Sequence, residues 1–248
     1  MTKFAVYNTS GVLVASDEAR SLSFVGKYGI NLRNSDGAGR YNSDIISSTY
    51  GAKIIAVQSP YPIGLGYGGG WNSGGSYDAT QGLRLYALGP GAGSFDATFF
   101  VFDNPTTTNA GGPRLVVYDT NGVVTFNSAD LKLRIAQVIE SSMNLNTLFG
   151  GSGQNWGIVQ QLGTGLPAGN YAVQTSPPIN YISWARNNQT GVTTTVRYVV
   201  TACISGTTLQ IGGAEDYRAQ TSGIGGQALP YDVETRTLLS TIFDVSGL

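Results

Sequence analysis

Three pairs of acidic residues stand close enough in the chain to suggest acid–base chemistry: Asp17-Glu18, Glu215-Asp216, and Asp232 with Glu234. A glycosidase needs two carboxyl groups flanking a glycosidic bond, one as acid and one as base or nucleophile. Successive side chains of a strand point to opposite faces, so each adjacent pair needs a bulge or a turn to meet one substrate. Asp232 and Glu234, two apart, can share a face. Among 248 residues there is no histidine and a single cysteine, Cys203. Ser-His-Asp and Cys-His nucleophiles, histidine-ligated zinc, a histidine pH switch and an internal disulfide framework are therefore excluded. Cys203 sits in the apolar run from Tyr198 to Ile204, where a small buried core residue is expected rather than a reactive thiol. Solvated loop acids are the ordinary account of the acidic pairs. No catalytic, cofactor or metal-binding residue is assigned, and the chain is expected not to be an enzyme.

Aromatic residues are better placed, for recognition. The tract from Ile63 to Asp78 sets Tyr67, Trp71, Asn72, Tyr77 and Asp78 among glycines. It reads as an adaptable loop with an aromatic and polar patch, the mix used in paratopes and small-ligand pockets. These five residues form the candidate ligand or receptor site; the competing reading tucks the same aromatics onto the body or into a subunit contact. The Gly-x-Gly spacings here precede no apolar helix, so neither a P-loop nor a dinucleotide fingerprint follows. Gly150 to Gly157 invites the same argument with one aromatic, Trp156. Asp119-Thr120-Asn121-Gly122 resembles part of a calcium loop, but the acidic ladder and its terminal Glu are missing and a hairpin turn accounts for it. A net charge of −1 and only 12% charged residues leave no basic field for nucleic acid. A surface of Ser, Thr, Asn, Gly and Tyr suits a protein or glycan partner better. No signal peptide or membrane-spanning run is apparent, and synthesis in a reducing cytoplasm without membrane insertion is expected.

The elements that must hold these residues are strands. Lys3 to Val14 aligns without a gap on Arg114 to Thr125: two apolar runs around a turn, Asn8-Thr9-Ser10-Gly11 in one copy and Asp119-Thr120-Asn121-Gly122 in the other. Asx bonding back to the turn and Gly at positive φ predict a hairpin with a bulge. Each copy runs on into a strand-like stretch, Ser21 to Val25 and Leu131 to Ile135, so the repeated unit is a β-meander. Further strands are predicted at 53–57, 83–88, 98–102, 170–173, 180–184, 193–204 and 207–211. The only helix signal, in Asp130 to Asn146, competes with an alternating strand pattern and is read as strand, with room for a helical turn after it. Gly (35 residues) and Tyr (14 residues) suit many strands and tight turns. The expected fold is all-β: antiparallel β-sandwiches with a duplicated hairpin and meander and little helix. Asn104 to Pro113, with two prolines and no large apolar residue, looks like a linker. The expected division is an N-terminal β domain over 1–104, a linker over 105–113 and a C-terminal β domain over 114–248, or else one pseudo-symmetric sandwich.

The opening Phe4 to Val14, its second copy, and the closing Thr241 to Leu248 together resemble short structural proteins of tailed bacteriophages. In those proteins a "VYDxxG" hairpin opens the chain and a "DVSG"-like tail ends it. The resemblance implies a tail-tip, baseplate or tail-fibre component that takes part in host-surface attachment. It further implies a virion location after synthesis in the host cytoplasm, with partners in itself, as a homo-oligomer such as a trimer, and in other phage tail proteins. A host surface glycan or protein is a further partner to expect. With no heptads and no collagen repeat, a compact module is expected instead of a shaft. A glycan-binding, lectin-like module is the alternative, and a carboxylate glycosidase acting on surface polysaccharide the third reading.

Overall fold

The computed structural model describes residues 5–7, 13–16, 22–34, 40–43, 54–67, 83–88, 93–104, 115–128, 131, 133–144, 158–176, 180–187, 192–222 and 235–248. Among them there is no helix. The first half contributes β1 (Ala5–Tyr7), β2 (Leu13–Ser16), β3 (Ser23–Asn34), β4 (Arg40–Asn42), β5 (Ile54–Gln58), β6 (Ile63–Tyr67), β7 (Leu83–Leu88) and β8 (Ser94–Asp103). The second contributes β9 (Val116–Tyr118), β10 (Val124–Asn127), β11 (Ile135–Asn144), β12 (Ile158–Gly163), β13 (Tyr171–Ser176), β14 (Asn180–Asn187), β15 (Val192–Ser205), β16 (Thr208–Ser222) and β17 (Thr235–Asp244). All pairings are antiparallel, as the alternating patterns and short turns require. The linker, 105–113, lies outside the described residues.

The two hairpins have one register. In the first, Ala5 faces Ser16, Val6 faces Ala15 and Tyr7 faces Leu13; in the second, the aligned residues Val116 and Asn127, Val117 and Phe126, Tyr118 and Val124 do the same, with the bulge at the aligned place. The second turn behaves as its residue types demand. Asp119 Oδ1 accepts the N–H groups of Asn121 and Val123 at 2.8 and 2.9 Å, and Gly122 takes φ +76°. The first turn lies outside the described residues.

The main sheet carries the same correspondence further. Its order is β11-β17-β13-β5-β8-β3-β4-β7-β6-β15-β16-β12, with β14 added on β15. Thus β3-β8-β5 matches β11-β17-β13, and β4-β7-β6 matches β12-β16-β15. Even the bulges agree: Val25 is the extra residue where β3 meets β8, and Ala136 where β11 meets β17. Each seam between the halves joins corresponding strands, at Val57 opposite Val173 and at Ile63 opposite Ala202. Leu133 N–H donates to the Leu22 carbonyl between corresponding residues, and the matching rings Phe102 and Phe243 stack at 6.1 Å. The described strands of the halves thus follow one pairing order, except β14, which has no counterpart among the described residues of the first half.

Each half buries its own core between two layers. In the first, Leu32, Val57, Ala97, Phe99 and Val101 meet Ile63, Leu85 and Ala87. In the second, Val173, Leu238 and Ile242 meet Val200, Ala202, Leu209 and Ile211. A third cluster lies on the outer face of the first layer, where Ala56, Phe100, Phe102, Ala172 and Phe243 are covered by Val245 and Leu248 of the C-terminal segment. Burial of this kind contributes about 25 cal/mol per Å² of apolar surface. Gly64 is required at the second seam. A Cβ there would run into the backbone carbonyl of Val200, which packs against β6.

Candidate functional site

The aromatic tract begins as a strand. Ile63–Tyr67 is β6, paired along its length with β7, Tyr67 facing Leu83. The expectation of a loop from residue 64 is therefore corrected. Gly64 and Gly66 look like loop residues in the sequence, yet glycine also serves a strand where another backbone comes close, as Gly64 does. Trp71, Asn72, Tyr77 and Asp78 lie outside the described residues, as does the tract 150–157. Residues 68–82 connect two paired strand ends. The corresponding connection in the second half, from β15 to β16, is a tight turn at Gly206 with φ +61°. The halves therefore differ most, in this connection, at the place where the sequence suggested a ligand loop.

Among the acids whose side chains are described, each is engaged in local structure or faces solvent. Asp96 accepts from Asn31 Nδ2 at 2.8 Å, Asp119 closes its turn, and Asp103 accepts the Asn104 N–H at 2.7 Å. Asp244 accepts the Ser246 N–H at 2.9 Å and lies 3.6 Å from Arg134. These contacts, the Ser246 bond first, hold its carboxyl below the ordinary carboxylate range. Glu215 faces Tyr198 and Tyr217 faces Arg197, so Asp216 is the extra residue of a bulge, the feature the sequence argument required of that pair. Asp17, Glu18, Asp232 and Glu234 lie outside the described residues. No group of three metal-ligating side chains occurs among the described residues. Cys203 is buried, its thiol donating to Gln210 Oε1 at 3.5 Å, and burial pushes it up to about 12. It is a core residue.

Two features escaped sequence reasoning. The first is polar. Gln137 Oε1, Ser141 Oγ, Gln160 Oε1 and Ser240 Oγ are buried without a hydrogen-bond partner. Gln137, Ile139 and Ser141 share the inner face of β11, opposite Ile242, Ser240 and Leu238 of β17, while Gln160 on β12 faces Ile211. The matching first-half positions are Gly26, Tyr28 and Ile30 opposite Val101, Phe99 and Ala97, where Tyr28 stacks on Phe99 at 5.1 Å. Bulk is similar, because Leu238 and Gln137 replace Ala97 and Gly26. Polarity is not: each buried polar atom without a hydrogen-bond partner in the protein costs about 1–3 kcal/mol. In sequence, Ser141 and Ser240 read as surface alternation.

The second feature is apolar. On the outer face of β11 and β17, Ile135, Val138 and Leu239 are 58%, 52% and 40% exposed. The corresponding first-half residues are Phe24, Lys27 and Thr98. There Phe24 packs edge-on against Phe102 at 5.9 Å, and Lys27 reaches over the Phe100 ring at 5.6 Å to the Leu248 carbonyl at 3.2 Å. The C-terminal segment covers Phe100 and Phe102 of the first half and Phe243 of the second, while Ile135, Val138 and Leu239 stay exposed, as does Val25 at the bulge of β3.

No protein-family model, no curated protein and no solved structure matches this chain, so the fold and its site stand on their own geometry.

Proposed function

We propose that the protein is a non-enzymatic structural component of a bacteriophage virion, at the tail tip, baseplate or a tail fibre, and takes part in host-surface attachment. The supporting observation is the bare apolar strip of Ile135, Val138 and Leu239 on an otherwise low-charge, all-β body. Apolar groups gathered on one face mark contacts between proteins. The hairpin and tail motifs add the resemblance to phage structural proteins. A virion role is tested by quantitative mass spectrometry of particles purified from a lysed culture that makes the protein. The expected result is co-purification through a density gradient at a fixed ratio to the major tail protein. Recovery in the soluble fraction alone would contradict the role.

A second reading is a glycan-binding module. It is favoured by the β6–β7 connection, long and aromatic where its counterpart is a tight turn. On that reading Trp71→Ala abolishes binding to host surface polysaccharide while the circular dichroism spectrum and melting temperature stay unchanged. Undiminished binding by the variant would remove the loop from consideration.

A further inference from the structure

The strands β3 and β11 occupy matching places, each paired with β8 or β17 on one side. Their free sides are defended differently. A sheet edge exposes a row of unpaired N–H and C=O groups, and natural proteins blunt it with charged side chains, Lys above all, or by covering it. β3 carries Lys27 and Arg33 and closes its far end on β4 at Arg33 and Asn34, and Lys27 donates to the Leu248 carbonyl at 3.2 Å. β11 reads Ile-Ala-Gln-Val-Ile-Glu-Ser-Ser-Met-Asn, with no Lys, Arg or Pro. Among the described residues no strand pairs with its free side; β11 and β12 are the two ends of the sheet path. Ile135 and Val138 lie along it in the open.

We propose that β11 is a self-pairing edge, joining β11 of a second copy of this chain in antiparallel register. The interaction rests on the structural role proposed above and names its contact. Antiparallel pairing of a strand with its own copy is two-fold symmetric, so each chain offers and receives the same residues. The chain already joins corresponding strands antiparallel, β5 to β13, where Val57 faces Val173. A register centred on Val138 sets the two Val138 side chains against each other and places Glu140 opposite Ala136, away from its own copy. Cross-strand apolar contact of this kind stabilises a sheet pair.

The test is sedimentation velocity on the full chain over a wide concentration range, with Val138→Lys, which writes the first-half residue Lys27 into the open edge. The wild type is expected to form dimers or even-numbered assemblies, and Val138→Lys to weaken them by about tenfold or more at unchanged melting temperature. Ser142→Lys, on the same exposed side of β11, serves if Val138→Lys does not fold. A wild type that stays monomeric throughout, or assemblies that persist unchanged in the folded variants, would overturn the self-pairing edge. A monomer that associates only on adding another tail protein would also overturn it. That last result would leave the virion role standing, whereas absence from particles would not.

Discussion

Strands β3 and β11 begin within one residue of aligned positions, carry the same bulge and pair with corresponding neighbours, yet one carries Lys27 and Arg33, with Lys27 tied to the C-terminal segment, while the other has neither Lys nor Arg and exposes Ile135 and Val138. Interiors diverge in the same direction. Tyr28 and Phe99 stack in the first half where Ile139 and Ser240 stand in the second. A repeated pairing frame thus tolerates opposite choices of side chain, because hydrogen-bonded register depends on backbone and turn chemistry, while burial depends on what covers each face. The second half carries the sheet-end strand with exposed Ile135 and Val138 and, on its inner face, the buried polar atoms without a hydrogen-bond partner.

Altering the matched pair Phe99 and Ser240 gives the largest expected contrast. Phe99→Ala removes a stacked ring from a full core and is expected to cost about 3–5 kcal/mol, whereas Ser240→Ala deletes a buried hydroxyl without a partner and is expected to be neutral or stabilising. Urea unfolding of both variants measures it, and equal losses would mean that the second interior is satisfied after all. Next comes the seam. Gly64→Ala drives a Cβ into the Val200 carbonyl and is expected to cost about 2–3 kcal/mol. A variant as stable as the wild type would show that β6 and β15 do not approach so closely. The hairpin turn ranks third: Asp119→Ala, by freeing the Asn121 and Val123 N–H groups, is expected to lose about 1 kcal/mol. Thermal unfolding reads that change, and no shift would remove Asp119 as the turn's anchor.

The smallest expected effect is in acid. Because Asp244 titrates below its unfolded value of about 3.9, its carboxylate stabilises the fold fully above that pH. The contribution disappears as pH falls through the lower folded value. Asp244→Asn is therefore expected to be less stable than the wild type above about pH 5 and to converge on it in stronger acid. Parallel stability curves at all pH values would show that the Ser246 and Arg134 contacts do not act on this carboxyl.

Strands were legible wherever Val, Ile, Phe and Tyr ran between turn residues: 83–88 is met residue for residue, and Asp119 and Gly122 close their turn as their types require. Boundaries failed for physical reasons. The stretch 131–135 reads as strand by alternation, but Leu131 and Leu133 bond back to Phe24 and Leu22 at the crossing of the halves, and β11 starts only at Ile135. The helix signal around Ala136 to Glu140 is the apolar and polar mix of an edge strand with two unlike faces. β16 runs on past Ile211 to Ser222 through Gly-Gly-Ala, a sequence whose β character comes from fourteen residues paired with β15 rather than from its own propensity. Of the two strands that flank the candidate loop only β7 is legible in the sequence; Gly64 and Gly66 disguise β6 as loop. Exposure of Val138 and burial of Ser240 depend on neighbours far apart in sequence, which no local pattern records.

Hydrogen exchange on the full chain at low and high concentration tests the contrast between the two strands most directly. The account predicts that amides of residues 135–144 gain protection as concentration rises, while those of residues 23–34 do not change. Concentration-independent exchange in both strands, or equal gains in both, would contradict it.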